Sequence, residues 1–553
     1  MEKKVIILVF IFFILLSGIT GKTFYEQIIM GPDYAVQSLE MRTKQFPLEQ
    51  YPRGDILDCN GISLSDSAYR PSVLIFPRLI SEPERLLARF KQDLPQINIR
   101  LEDIKPYYKN NNKIYPEPFV LKIQDNRIFS IISSWKEPGV TIVPYKMRYG
   151  SNALAVHLVG YMGYPQNGYL PQGMTGIEKR LNDVLSGERP EKIVAPVTDA
   201  RNHILEGLGF RLFELGKDHA RKDIILSIDA RIQRLVEEVL EEKGIIKGSV
   251  VILDVNSGNI LAAASRPKYD PNNLKNNMGF SDNQIERIID YKVYPGSIFK
   301  VITAAAALEE GIVNPETKFV CTGSSSDFRV QCPRPHGEIT FSQAMERSCN
   351  VTFVQIGLEL GRKKLEEYMI SKFGFNPIAN KALDSSEAIA HGVIGQVIFQ
   401  VSPLEIANMM ATIARDGYHQ ELSNPWETRL IQATRTSEGQ IENFTQLPSY
   451  KKLYSNQTAQ FLKQMLTMTN QQGSGRRAWL ENYGSAGKTG TPQTNGLGAY
   501  MAWYTGYAPS DNPRYAVSVL IEEIAGVNNN ELQGGYHAGP VFKEILERIF
   551  QAS

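Results

Sequence analysis

The stretch YPGSIFKVITAAAALEE, residues 294–310, is the most informative part of the sequence. Pro295 and Gly296 favour a turn and the alanine-rich run is a strong helix former, so we predict a helix whose first turn contains Ser297. A spacing of three residues places Lys300 on the same face, where its amine can reach the serine hydroxyl. A lysine whose pKa is lowered by burial can accept the proton of such a nucleophile. By itself, the pair is a weak signal, and an ordinary helix start with a solvated lysine is its simpler interpretation.

A second motif, Ser348-Cys349-Asn350, lies at the start of another helix with apolar periodicity. Its serine could pass a proton towards a leaving group, and its asparagine amide could hold a substrate carbonyl group. Taken alone, this motif is also an ordinary helix cap.

A third motif combines small residues with one cation, and it consists of Lys488, Thr489, Gly490 and Thr491. The lysine supplies a cation for a carboxylate, the threonine hydroxyls supply donors, and a backbone N–H could complete an oxyanion hole. A phosphate-binding loop is excluded because the glycine required five residues before Gly487 is replaced by Asn482.

The sequence around these motifs predicts an antiparallel sheet with helices on both faces. Apolar residues with helical spacing predict one helix from about Ala230 to Lys243 and a closing helix over about 541–549. Two apolar runs, 250–255 and 260–265, flank the turn residues Asn256 to Asn259 and predict a hairpin. The segments 500–508 and 515–522 are also typical of strands. The fold class expected is α+β.

Length and charge limit the classes of function. The chain has 553 residues, enough for several domains at about 150 residues each. Its 60 basic and 59 acidic residues give a net charge of +1, so nothing in the overall charge indicates a nucleic-acid partner. Four cysteines are too few for a scaffold built on disulfides.

The amino terminus carries an apolar run from Val5 to Ile19, preceded by Lys3 and Lys4. We predict an anchor in the cell membrane that leaves the amino terminus in the cytoplasm and the rest of the chain outside. A cleaved signal peptide is the alternative, because small residues end the run. The domains predicted are a cytoplasmic tip and anchor (1–22), an elongated α+β pedestal (23–190), a charged linker (191–222) and a catalytic domain (223–553).

With its three motifs in this order, the chain resembles the class B penicillin-binding proteins, which are monofunctional peptidoglycan D,D-transpeptidases. The segment from Arg53 to Asp58 resembles the opening of the family's pedestal, or dimerisation domain, and Gly176-Ile177-Glu178 resembles its closing segment. Cys59 departs from the family pattern, in which arginine is usual at this position.

The resemblance implies a role for each motif residue. Ser297 would be the acylated nucleophile and Lys300 its base, Ser348 would shuttle protons, and Asn350 would bind the donor peptide. Lys488 and Thr489 would orient the second serine, recognise the carboxylate, or both, and Gly490 would belong to the substrate-binding strand. Thr491, through its N–H and hydroxyl, would join the Ser297 N–H around the carbonyl. The implied partners are peptidoglycan stem peptides, β-lactams, the cell membrane and other membrane proteins of cell-wall synthesis. No metal or cofactor is required.

Other functions remain open at this point. A D,D-carboxypeptidase would use the same residues, and a β-lactam-binding receptor or scaffold would need only the fold. A β-lactamase is disfavoured because the expected glutamate-containing motif is missing from residues 351–376. Cys321 and Cys332 are compatible with a disulfide or with two free thiols. His336 and His391 lack partners at a metal-ligand spacing, which predicts structural roles.

Overall fold

The computed structural model of the chain describes residues 2–30, 45–105, 107–109, 112–114, 118–123, 125–165, 170–197, 205, 209–274, 286–444, 449–493 and 500–552. The chain forms two compact units. The small unit contains Met1–Gly54, Ser67–Gly150 and Ser186–Lys222. The large unit contains Asp55–Asp66, Ser151–Leu185 and Asp223–Ser553, and it carries all three motifs.

An antiparallel sheet of five strands lies at the centre of the large unit. In chain order the strands are β1 (Ile245–Asp254), β2 (Ile260–Arg266), β3 (Ala486–Gly490), β4 (Ala502–Ala508) and β5 (Tyr515–Ile524). Their order across the sheet is β2-β1-β5-β4-β3. The predicted hairpin is confirmed as β1 and β2, whose turn contains Gly258 with a left-handed φ of 72°.

Helices cover both faces of this sheet, as predicted. The longer helices of the large unit are α1 (Ala230–Glu242), α2 (Lys300–Glu309), α3 (Phe341–Glu346), α4 (Asn350–Glu366), α5 (Ser386–Gly392), α6 (Pro403–Ala414), α7 (Asn456–Gln471) and α8 (Gly539–Ala552). The first and the last of these share one core with Val517 and Val519 of β5. Alternate residues of β5 point to the opposite face, where α6 packs against β1, β4 and β5.

Two segments that precede the predicted catalytic domain belong to the large unit. The strand Ile56–Leu57 pairs in parallel with Asp223–Leu226, and the carboxylate of Asp58 accepts the backbone N–H of Ala230 at 3.0 Å. Asp58 is fully buried, and its carboxylate also accepts the backbone N–H groups of Asn60 at 2.8 Å and Ile62 at 2.7 Å, which supply the donors that a buried carboxylate needs. The range predicted as one pedestal, 23–190, is therefore divided between the two units.

Shorter elements complete the large unit. The strands are Met162–Gly163, Gln172–Gly173, Lys318–Cys321, Ser324–Ser325, Val330–Gln331, Gly337–Thr340, Tyr418–Gln420, Ile431–Arg435, Ile441–Asn443 and Tyr450–Lys452. The short helices are Val156–Val159, Gly176–Arg180 and Asn182–Leu185.

The small unit is also mixed α and β. One antiparallel sheet has the order Phe119–Lys122, Ala68–Ile75, Val140–Met147, and a second has the order Phe46–Pro47, Lys192–Pro196, Phe210–Glu214. The other elements are the helices Pro83–Asp93, Leu101–Ile104 and Asn126–Ser134 and the hairpin Tyr107–Lys109 with Asn112–Ile114. Phe90 packs edge to face on Trp135 at 4.7 Å in the core.

The range 191–222, predicted as a linker, contains two of these paired strands. Ile193 and Val194 are buried in the sheet, and Arg221 forms buried ion pairs with Glu49 and Glu191, both at 2.7 Å. A short apolar strand thus lies among the charged residues that led to the prediction of a linker. Residues 198–204 and 206–208 lie outside the described residues.

The amino-terminal helix runs over Glu2–Phe24. Among the residues whose side chains are described, no helix meets the length and hydropathy needed to cross a membrane. The predicted anchor, 1–22, falls partly outside those residues.

Candidate active site

The first motif lies on a 3₁₀ turn, Gly296–Phe299, that leads directly into α2. The predicted helix start is therefore correct. A 3₁₀ turn aligns residues three apart, so Ser297 and Lys300 lie on the same side of the turn. The Gly296 N–H donates to the Gly395 carbonyl oxygen at 3.0 Å. A Cβ atom on Gly395 would lie 2.1 Å from the Gly296 oxygen, so this close backbone crossing requires glycine. The backbone at Gly395 therefore holds the turn that carries the candidate nucleophile, Ser297.

Lys300 is fully buried, and its amine contacts the second motif. Its Nζ donates to the Ser348 carbonyl oxygen at 2.7 Å, to Ser348 Oγ at 3.2 Å and to Asn350 Oδ1 at 2.5 Å. Burial lowers the pKa of Lys300 to about 8. Within the described part of the chain, Ser297 and Lys300 form no hydrogen bond. The structure therefore places the amine one turn from Ser297 but bonded to Ser348.

Ser348 occupies a backbone conformation that serine rarely adopts. Helix α3 ends in a Schellman-type turn, in which Cys349 N–H donates to Ala344 O at 2.8 Å and Ser348 N–H donates to Met345 O at 3.1 Å. Ser348 is the left-handed residue of this turn, with a φ of 56°, at a position usually taken by glycine. This left-handed conformation places the hydroxyl where the two helices α3 and α4 meet. Strained backbone conformations of this kind are common at functional sites.

This strain leads to a prediction about stability. Ser348→Gly should be more stable than Ser348→Ala by about 1 kcal/mol, because only alanine keeps the Cβ that disfavours the left-handed conformation. Both variants lose the same hydroxyl, so each is the control for the other. Scanning calorimetry should give the glycine variant a higher Tm by about 2 °C. An alanine variant of equal or greater Tm would contradict the strain argument.

Lys488 approaches Ser348 from the sheet. It lies on β3, is fully buried, and donates from Nζ to Ser348 Oγ at 2.8 Å. Burial lowers its pKa well below the ordinary value, and the nearby charge of Lys300 lowers it further. Neither lysine forms an ion pair within the described ranges. Two amines with weakened proton affinity therefore contact one hydroxyl group, an arrangement that can relay a proton.

The rest of the third motif lies close to the turn that carries Ser297. Gly490 lets β3 pass the nucleophile turn, because a Cβ atom there would lie 2.7 Å from the Pro295 carbonyl oxygen. Thr489 Oγ1 donates to Ser474 Oγ at 3.2 Å, and Thr491 Oγ1 accepts the Gly534 N–H at 3.2 Å. Because β3 is the last strand of the described sheet, its outer edge can pair with an extended peptide.

Sequence reasoning identified the three motifs but missed the residues that support them. Ser474 bonds to Thr489, and its glycine neighbours at 473 and 475 are a signal that could have found it. The Gln331 carbonyl oxygen accepts from Asn350 Nδ2 at 2.6 Å. No sequence signal marks this residue, because the contact uses only its backbone. The Lys300 amine also lies 5.5 Å from the ring centroid of Phe353.

Comparison with known families matches two regions of the chain. Residues 248–547 match the penicillin binding protein transpeptidase domain, and residues 49–210 match the penicillin-binding protein dimerisation domain. The first match contains all three motifs. The second overlaps the range 23–190 that the sequence predicted as the pedestal and extends beyond it.

Individual proteins agree with these matches over nearly the whole chain. Stage V sporulation protein D of Bacillus subtilis is 26% identical, with 94% of this chain and 81% of that protein covered. Peptidoglycan D,D-transpeptidase FtsI of Escherichia coli K12 is 24% identical, with 97% and 89% covered.

Solved structures share the fold. A chain from a structure titled "Structural coordination of polymerization and crosslinking by a peptidoglycan synthase complex" has a TM-score of 0.67 and 23% identity, covering 100% of this chain and 99% of that chain. Penicillin binding protein 3 of Mycobacterium tuberculosis, complexed with aztreonam, has a TM-score of 0.60 and 22% identity, covering 92% and 97%. The protein belongs to the penicillin-binding protein transpeptidase family, with the family's dimerisation domain preceding its transpeptidase domain.

Proposed function

We propose that this protein is a serine-type peptidoglycan D,D-transpeptidase. The observation that carries the proposal is the convergence of two buried amines, those of Lys300 and Lys488, on the hydroxyl of Ser348 beside the Ser297 turn. Relatives named peptidoglycan D,D-transpeptidase, and a structure of similar fold complexed with a β-lactam, support the same chemistry.

In the acylation step, Ser297 Oγ attacks the carbonyl carbon between the two terminal D-alanines of a stem peptide. The Oγ–C bond forms, the C–N bond breaks, and the terminal D-alanine leaves as an amine. The neutral form of Lys300 takes the serine proton and passes it through the Ser348 hydroxyl to the leaving nitrogen. The backbone N–H groups of Ser297 and Thr491 hold the oxyanion.

In the second step, an amine of a neighbouring stem peptide attacks the acyl-serine. The proton of that amine passes to the neutral form of Lys300, the new C–N bond forms, the ester bond to Ser297 breaks, and Oγ recovers the proton from Lys300. In a β-lactam the corresponding amide lies in the ring, so the leaving nitrogen stays attached and blocks the site. Acylation of Ser297 by β-lactams follows from the same attack.

The bonding of Lys488 favours one of the two roles implied by the resemblance. Because its amine is buried and bonded to Ser348 Oγ, we assign it to orienting the second serine. The Thr491 hydroxyl, which accepts the Gly534 N–H and keeps its own proton, is then the donor for the substrate carboxylate. Asn350, held between Lys300 and Gln331, would bind the amide of the donor peptide.

The product formed with an acceptor tests the reaction class. Among the described residues, no carboxylate bonds to Lys300, Ser348 or Lys488, so a base for hydrolytic water is missing at these atoms. We therefore expect a D-Ala-D-Ala stem peptide and an amine acceptor to give the exchanged amide, detected by mass spectrometry. Free acid as the sole product would indicate a carboxypeptidase. Penicillin binding without either product would indicate a receptor or scaffold. Heat-inactivated protein and Ser297→Ala serve as blanks.

We also propose that the apolar amino-terminal run, 5–19, anchors the protein in the cell membrane with the large unit outside. The flanking Lys3 and Lys4 support this orientation. The fold match to a chain of a peptidoglycan synthase complex supports a partner among membrane proteins of cell-wall synthesis. Recovery of the full chain, but not of residues 23–553, in a washed membrane fraction is the result expected. Equal recovery of both would refute the anchor.

A further inference from the structure

The side chains of three cysteines and one histidine lie close together next to the second motif. The Sγ atoms of Cys321 and Cys332 are 3.8 Å apart, and those of Cys332 and Cys349 are 3.7 Å apart. A ring nitrogen of His336 completes the group, and all four ligand atoms lie within 4.8 Å of one another. Cys349 is the middle residue of the motif, between Ser348 and Asn350.

The distances between the sulfur atoms fit a metal site better than a disulfide. A disulfide needs a separation of about 2.05 Å, and the sulfurs here are unbonded. Ligands bound tetrahedrally at about 2.3 Å from a zinc ion are separated by about 3.8 Å. The two measured sulfur separations match the edges of such a tetrahedron.

The hydrogen-bonding partners of the three cysteines and the histidine support metal binding independently of the distances between the ligand atoms. His336 Nδ1 is buried and has no hydrogen-bond partner among the described residues. The sulfur atoms instead receive donors: Asn350 N–H donates to Cys332 at 3.2 Å, and Thr352 Oγ1 donates to Cys349 at 3.3 Å. Hydrogen bonds of this kind stabilise thiolates and orient them around a metal. An unpartnered ring nitrogen beside three sulfur atoms, two of which accept such hydrogen bonds, is the donor set of a closed zinc site.

The ligands are brought together by short strands. Cys321 ends the strand Lys318–Cys321, which pairs with Gly337–Thr340, and Cys321 lies opposite Gly337 in this pair. Cys332 directly follows the strand Val330–Gln331, and Cys349 is the amino-terminal cap of α4. The intervals between the ligands are 10, 3 and 12 residues. This spacing resembles no familiar Cys/His motif, which is why the sequence predicted only a structural role for His336.

We propose that Cys321, Cys332, His336 and Cys349 bind one zinc ion, which holds the Ser348–Asn350 segment in place. Three thiolates and one imidazole select a soft, tetrahedral cation, and four protein ligands leave no open position for chemistry on the metal. The ion therefore positions the site and takes no part in acyl transfer. Its ligand Cys349 is directly bonded along the chain to both motif residues that contact Lys300.

Metal content is the first test. The full chain, expressed with zinc and purified without chelators, should contain about one zinc ion per molecule by elemental analysis. Cys321→Ser and His336→Gln should each lower this to below about 0.2 per molecule. Cys59→Ser and His391→Gln are matched controls that should keep the metal, because neither residue belongs to the cluster.

If the variants fail to fold, a measurement of Tm on the wild-type protein still tests whether it binds zinc. Removing the metal with a chelator should lower the Tm, and added zinc, but not magnesium, should restore it. The rate of β-lactam acylation in His336→Gln should fall by about 10- to 100-fold, with Ser297 still the labelled residue.

Three results would overturn the proposal. The first is wild-type protein without zinc that takes up none on titration. The second is a Cys321–Cys332 disulfide in unreduced peptide mass spectrometry of the active protein. The third is full retention of zinc by both ligand variants. None of these results bears on whether Ser297 is acylated, so the failure of the metal site and the failure of the enzyme assignment are distinguishable.

Discussion

Ser297→Ala should show no covalent adduct with fluorescent penicillin under conditions that label the wild type to completion. The hydroxyl is the only atom at this turn proposed to form the ester bond, and alanine keeps the rest of the 3₁₀ turn. Transpeptidation should fall by at least about 10⁴-fold, since loss of a nucleophile removes the covalent route altogether. Gel fluorescence and intact-protein mass spectrometry measure the adduct.

Ser81→Ala is a matched control for Ser297→Ala. Ser81 is an exposed serine of the small unit, so the same substitution there should leave labelling at the wild-type level. Unchanged far-UV circular dichroism of both variants would show that folding is retained. A persistent adduct in Ser297→Ala would place the nucleophile at another residue and remove the basis of the proposed mechanism.

Lys300→Met should slow acylation by about 10³-fold while Ser297 remains present. Methionine fills a similar volume without a proton acceptor, and general-base catalysis contributes about 10²- to 10⁴-fold in enzymes. In the wild type, the acylation rate should rise with pH and level off above about 8, because only the neutral amine accepts the serine proton and its pKa is about 8. Stopped-flow kinetics with a chromogenic β-lactam measures both effects.

The pH profile separates a base from a residue that only supports the structure. Lys300→Met should lose the inflection near pH 8, whereas the exposed control Lys381→Met should keep both the rate and the profile. A wild-type rate that does not change between about pH 6 and about pH 10 would exclude Lys300 as the base. So would an unchanged inflection in Lys300→Met.

Local sequence patterns predicted the elements that carry the site. The turn at Gly296 and the helix α2 follow from Pro-Gly and an alanine-rich run, and α1 and the β1–β2 hairpin follow from their periodicities. These elements depend on neighbours a few residues apart, so the sequence holds the necessary information. The order of the three motifs was sufficient to indicate the family, and both family matches confirm it.

Sequence alone also determined the chemistry available to the protein: two serines, two lysines, an asparagine and two threonines in three motifs. Only the tertiary structure decided which of these groups meet. Lys300 forms hydrogen bonds with Ser348 and none with Ser297, Ser348 adopts a left-handed conformation, and residues 55–66 and 151–185 pack with the large unit. The four residues of the proposed zinc site converge through strand pairing. Apart from the local turn at Ser348, these outcomes depend on contacts between residues far apart in the chain, and such contacts leave no periodic signal in the sequence.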